Sequence, residues 1–194
     1  MLREVRKKKI NETITQVAIE LFKQKGYENV TVEEIALKSG IAKGTFFNYF
    51  QKKEHLLLHI VNSYMQLMDQ IVHRHHEGTV KERLLRILRD ILSIYFRHPG
   101  LLRLALVETI KSTIETKDAS TNITMFRETL GTIITEAKQS GALRSSWDPN
   151  MSASVIVGVF INTLINGSSS LNEEELFELL QRQLDVVWEG IADE

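Results

Sequence analysis

Cysteine is absent from this 194-residue chain, and proline occurs only twice, as Pro99 and Pro149. Without thiols there is no disulfide, no thiolate nucleophile and no cysteine-ligated zinc or iron-sulfur centre, a composition that suits a reducing compartment. So few prolines leave helix free to run across most of the length. There is no long polar or repetitive tract, and 25% charged with 43% hydrophobic residues describes a chain that folds. The basic start MLREVRKKKI is followed by no apolar run of signal length, and no stretch reaches the roughly 18 apolar residues of a membrane span. The expectation is a soluble, cytoplasmic protein with no membrane contact. Catalytic signatures are missing as well: there is no G-x-G-x-x-G, P-loop or H-E-x-x-H, and no Glu-x-x-His pair of the kind a di-iron bundle needs. No serine has a histidine placed to activate it. The chain is therefore expected to be no enzyme, with no catalytic residue and no cofactor.

What is present is unevenly charged. Positions 1–53 hold 11 Lys and Arg against 6 Asp and Glu, a net +5, whereas positions 54–194 hold 13 against 19, a net −6. The overall −1 conceals this segregation, which points to a polyanionic partner for the first quarter. Arg3, Arg6, Lys7, Lys8 and Lys9 alone would read as a solvated tail.

The segment Thr31 to Phe50, TVEEIALKSGIAKGTFFNYF, changes that reading, because it describes two short helices joined by a glycine turn. Val32, Ile35 and Ala36 share one face of the first helix, Thr31 can cap it, and Glu33 and Glu34 lie in its first turn. Gly40 supplies the left-handed backbone of a sharp turn, and Ile41 can tuck under both helices. In the second helix Phe46 and Phe50 point inward, leaving Lys43, Thr45, Asn48 and Tyr49 facing largely outward. Amide and hydroxyl groups on so short a helix suit the base edges and phosphates of a major groove.

Helical periodicity continues to the end of the chain. A first helix is expected from about Lys8 to Lys25, a long one after Phe50, then Val80 to Phe96, Leu101 to Ile110 and Thr121 to Ser140. Pro149 sits near the first position of the next. Met151 to Ile165 is small or apolar nearly all round, as expected of a helix pressed on several sides. Leu176, Phe177, Leu179, Leu180, Leu184, Val187, Trp188 and Ile191 form a broad stripe on the last helix. Together they suggest a homodimer formed through the last two helices.

The stretch FKQKGYENVTVEEIA, the turn SGIAKGTFFNYF and the continuation KKEHLLLHIV closely resemble the N-terminal domain of the TetR family of transcriptional regulators. The resemblance spans residues 8–61 and rests on the spacing of Gly26, Thr31, Ile35, Ala36, Gly40, Lys43, Gly44, Phe50, Lys53 and Leu56. It implies an all-α fold: an N-terminal three-helix DNA-binding domain with a helix-turn-helix at 1–52, and a C-terminal helical ligand-binding and dimerisation domain at 53–194. It makes Thr31 a phosphate contact, Lys43 and Gly44 backbone or base contacts, and Lys53 a phosphate contact, while Thr45, Asn48 and Tyr49 face the groove. Two positions depart from the family's pattern. Ala42 stands where a serine cap is frequent, a loss of ~1 kcal/mol unless Ser39 or a backbone contact compensates. Phe47 stands where tyrosine is frequent, so a hydroxyl contact to phosphate is missing.

The resemblance also implies a small-molecule effector held among the C-terminal helices. The expected ligand-binding residues are Tyr64, Met68, Tyr95, Glu108, Phe126 and Asn162, large or polar side chains on otherwise apolar stretches. If Glu108 is buried it pairs either with a cationic ligand or with Arg103, Arg127 or Lys111, the salt bridge being preferred. His55 with His59, and His73, His75 and His76 beside Glu77, lack a third and fourth ligand of known geometry, so no metal is expected. The function expected is a ligand-responsive repressor that binds a near-palindromic double-stranded DNA operator as a homodimer and is released by a small molecule. The alternative is a helical small-molecule sensor whose basic end docks a protein or membrane surface.

Overall fold

The computed structural model describes residues 2–65, 68–97, 99–115, 121–167 and 170–191. Among them the chain forms ten α-helices and no strand, so the fold is all-α. The helices are α1 (Leu2–Lys25), α2 (Val32–Lys38), α3 (Lys43–Phe47), α4 (His55–Met65), α5 (Met68–Arg74), α6 (Val80–Arg97), α7 (Pro99–Glu115), α8 (Thr121–Gln139), α9 (Pro149–Gly167) and α10 (Glu173–Ile191). The first helix starts earlier than its apolar pattern predicts. Lysine and arginine are good helix formers, so the run Arg6 to Lys9 continues α1 as exposed turns instead of a tail.

By internal packing the chain divides into two units, Met1–Tyr64 with His98–Lys117 and Met65–Arg97 with Asp118–Glu194. In the first unit, Ile14, Ala18, Leu21 and Phe22 form the buried stripe of α1. They share the core with Val30, Ile35, Ala36, Phe46, Phe50, Leu56 and Ile60. Burying rings such as Phe46 and Phe50 stabilises a unit this small by about 1.5–3 kcal/mol each. Two glycines shape it: Gly26 ends α1 at φ 78° and Gly40 turns α2 into α3 at φ 69°, backbone that other residues adopt only with strain.

In the second unit α9 packs between α8 and α10, α10 and α8 pack on α6, and α5 packs on α6. Leu84, Ile87, Leu88 and Leu92 of α6 meet Leu130, Ile133 and Ile134 of α8, Ile156, Val157 and Phe160 of α9, and Leu176, Leu180 and Leu184 of α10 in the buried set. Pairs at the rim tie α6 to α10: Arg89 to Glu174 at 2.8 Å and Lys81 to Asp185 at 2.9 Å. Helix starts are capped reciprocally. Thr79 N–H donates to Glu82 (2.8 Å) while Glu82 N–H donates to Thr79 Oγ1, and Asn172 and Glu175 do the same at α10. Those backbone and hydroxyl donors hold the Glu82 carboxylate below its ordinary range.

One expectation for α9 is corrected. Its 19 residues, with a mean hydropathy of 1.3, are long and apolar enough by composition to cross a membrane, although one face packs inside the unit. Nor is it enclosed on all sides. Met151, Val155 and Ile165 are 61%, 43% and 56% exposed, and Gly158 and Asn162 are exposed between them, so the apolar composition continues onto an open stripe.

Candidate nucleic-acid interface

The helix-turn-helix is built from its caps inward. Thr31 has extended backbone, and its Oγ1 accepts the Glu34 N–H at 3.2 Å, satisfying one orphan donor of α2. At the far end Ser39 N–H returns to Ile35 O and Ile41 N–H to Ala36 O, closing the turn around Gly40. The next helix starts without a side-chain cap, since Ala42 provides none. Ser39 does not compensate, because its Oγ is buried without a hydrogen-bond partner in the structure. What holds α3 is its back. Phe46 is fully buried, tilted against Phe50 at 5.5 Å between centroids, and Phe50 is met edge-on by the His59 ring at 4.8 Å. Burial, and then His55, depress the basicity of His59, which suits an uncharged ring in that packing.

The opposite face of α3 is open. Lys43, Gly44 and Asn48 are exposed, and Thr45 and Tyr49 are half-exposed. Asn48 is the C-cap of α3 in right-handed backbone, with its amide outward. Lys43 is ion-paired across the turn with Glu33 of α2, and that pairing holds the Glu33 carboxyl below its ordinary range. A phosphate drawing Lys43 away must displace an exposed carboxylate, a small cost at the surface. Phe47, singled out in the sequence only for the hydroxyl it lacks, lies on this open face at 43% exposure.

Lys53 is placed differently from a free phosphate-binding cation. Its Nζ donates to Tyr27 O at 2.9 Å and Val30 O at 3.1 Å, and stands 4.0 Å from the centre of the Tyr27 ring. It clamps the loop between α1 and α2, leaving one N–H for any phosphate. The signal for this was not in the lysine itself. It lay in an aromatic residue just past Gly26, at a distance of 26 residues in sequence.

The expected effector residues divide. Met68, Tyr95 and Phe126 are buried in the second unit, with Phe126 edge-on to Phe160 at 5.6 Å and Tyr95 edge-on to Phe96 at 5.9 Å. Glu108 is buried in the first unit, and among the described residues it forms no ion pair with Arg103 or Lys111. The side chain of Tyr64 lies outside the described residues. Asn162 lies on the surface of the single chain instead of in its core. It is exposed, accepting from Asn166 Nδ2 at 2.7 Å, because the phase of α9 turns position 162 to the open stripe. Of the histidines, His75 Nε2 stands 3.0 Å from Asp90 Oδ2, which also takes Arg74 at 3.1 Å. Among the described residues no three His, Asp or Glu side chains are grouped where a metal could be held.

Residues 14–60 match the family model of bacterial regulatory proteins, tetR family. Over nearly its whole length the chain is similar to the fatty acid metabolism regulator protein of Bacillus subtilis (strain 168), at 26% identity over 184 residues, 92% of this chain and 93% of that protein. Its fold is similar to that of Thermus thermophilus FadR, a TetR family transcriptional repressor solved in complex with lauroyl-CoA. The TM-score is 0.78 and the identity 22%, covering 95% of this chain and 96% of the other. FadR from Bacillus subtilis in complex with stearoyl-CoA gives a TM-score of 0.70 at 24% identity, covering 93% and 98%. Residues 14–60, which hold the capped helix-turn-helix, thus match the TetR family of bacterial regulatory proteins, and over almost its full length the chain shares an all-helical fold with solved TetR-family regulators.

Proposed function

We propose that this regulator is a repressor that binds a near-palindromic operator as a homodimer and leaves it when a small molecule binds. The carrying observation is the open face of α3, where Lys43, Gly44, Thr45, Asn48 and Tyr49 stand over a back locked by Phe46 and Phe50. In this reading residues 1–52 are the DNA-binding domain and 53–194 the ligand-binding and dimerisation domain. Thr31 and the remaining N–H of Lys53 hold phosphates, which set register, and Asn48 reads a base edge, its amide matching adenine N6 and N7.

The exposed stripe of Met151, Val155, Gly158 and Ile165 on α9 is the face a second copy covers, together with exposed Val186 of α10. A symmetric dimer presents two α3 helices to half-sites about 34–36 Å apart or a multiple of that. Effector binding favours a dimer geometry in which the separation is wrong, and linkage requires DNA to weaken the effector by the same factor.

Met68, Tyr95 and Phe126, buried in the second unit, supply apolar and aromatic surface to the effector site. Long-chain acyl-CoA is the effector class to test first, because FadR proteins of similar fold hold lauroyl-CoA and stearoyl-CoA. The experiment is selection of bound duplexes from a random library, followed by release of the selected operator with stearoyl-CoA. A palindrome whose preference relaxes at one position in Asn48→Ala is the expected result. Recovery of no enriched sequence by the folded, effector-free protein refutes the reading. An operator that stearoyl-CoA leaves bound refutes the effector class alone.

A further inference from the structure

Phe47 is a large apolar ring that the fold does not bury. Its neighbour Phe46 is fully buried and Phe50 nearly so, yet Phe47 on the same five-residue helix remains 43% exposed. It is not loosely held. The ring meets Phe46 edge-on at 5.5 Å between centroids and 88° between planes, and Phe46 is immobilised by the core. A ring with two rotatable bonds packed against a fixed neighbour is oriented before any partner arrives, so little further entropy is lost on binding. It lies four residues after Lys43, on the same flank of α3, and directly before Asn48.

Chemistry narrows what such a ring can read. A phenyl group has no donor or acceptor for phosphate oxygens or for the polar base edges. The one apolar group that projects into the major groove is the C5-methyl of thymine, and phenyl-to-methyl contact is one of the ways it is recognised. We propose that Phe47 is a specificity-determining residue that selects thymine at one position of each half-site through its 5-methyl group. This rests on the operator-binding reading above.

The test replaces each thymine of the selected operator half-site, one at a time, by deoxyuridine, which removes only the methyl. At one position wild type is expected to lose affinity about four-fold, the factor carried by burying one methyl-sized apolar group, about 0.8 kcal/mol. Phe47→Ala is expected to bind the thymine and uracil duplexes equally at that position. Its melting temperature should fall by only a few degrees, because one edge-to-face contact is lost while the core rings Phe46 and Phe50 stay in place, and its unfolding should remain cooperative. Phe47→Leu, which keeps apolar bulk, is expected to retain part of the discrimination, and 5-methylcytosine in place of the critical thymine should bind better than cytosine. The proposal is overturned if no single uracil weakens wild type. It is equally overturned if Phe47→Ala lowers affinity by one factor for all duplexes while keeping the uracil discrimination, which would make the ring a backbone-positioning contact. Failure of operator binding itself is separate, since it appears as the absence of any enriched sequence with wild type before uracil is introduced.

Discussion

Replacing Lys53 by methionine tests whether its ammonium is a structural clamp. Methionine keeps the length and apolar stem of the side chain, so the loss is confined to the charge and its donors. The structure assigns to that ammonium two bonds to carbonyl oxygens, at 2.9 Å and 3.1 Å, and a position 4.0 Å from the Tyr27 ring centre. Bonds from a charged donor contribute about 1.5–3 kcal/mol each when well shielded. Cation–π contact adds about 0.5–1 kcal/mol at exposed sites. The site is only partly buried, water can reach the released carbonyls, and contributions that share one group do not add, so the expected net loss is about 2–3 kcal/mol. For a chain of this size each kcal/mol moves Tm by roughly 2–4 °C, so Lys53→Met is expected to melt about 4–12 °C lower. The assay is thermal unfolding by circular dichroism at one fixed protein concentration, because any dimerisation makes Tm depend on concentration. Amide exchange should localise the loosening to residues 27–31 and the start of α2. A surface lysine without partners changes stability by less than about 0.5 kcal/mol. A Tm within about 1–2 °C of wild type therefore refutes the clamp and returns Lys53 to a simple phosphate contact.

Gly40→Ala isolates backbone strain, because a Cβ there meets nothing within 4 Å while φ is +69°. The expected loss is about 1–2 kcal/mol, read as a lower Tm and weaker operator binding, and an unchanged Tm would show that the turn relaxes to ordinary backbone. Val155→Glu places a charge on the open stripe of α9 and is expected to shift sedimentation from dimer to monomer with the helical content unchanged. A variant that remains dimeric at wild-type concentrations would locate the self-association face elsewhere.

Much of the local structure was legible because short-range chemistry decides it. Gly26, Gly40 and Gly141 mark helix ends where φ is positive, Thr31 caps α2, Pro149 opens α9, and the spacing of Phe46 and Phe50 places both rings inward. Ala42 leaves α3 uncapped, as its methyl side chain requires. Other features depend on neighbours remote in sequence. Lys53 is a clamp only because Tyr27 and Val30 arrive beneath it. Asn162 interrupts an apolar run and so looks buried, yet the phase of α9 against α8 and α10 leaves it outside. Whether Phe47 is buried or displayed turns on which side of α3 meets α2 and the core of the first unit, a choice that two adjacent phenylalanines cannot reveal.

The amino-acid sequence by itself determined the all-helical class and the helix-turn-helix, because caps, glycine turns and 3.6-residue periodicity act over a few residues and survive in any context. Tertiary structure alone decided which side chains of those helices are partnered, displayed or enclosed. Burial and charge pairing are properties of surfaces brought together from distant segments, and no local pattern encodes the rotation at which two helices meet.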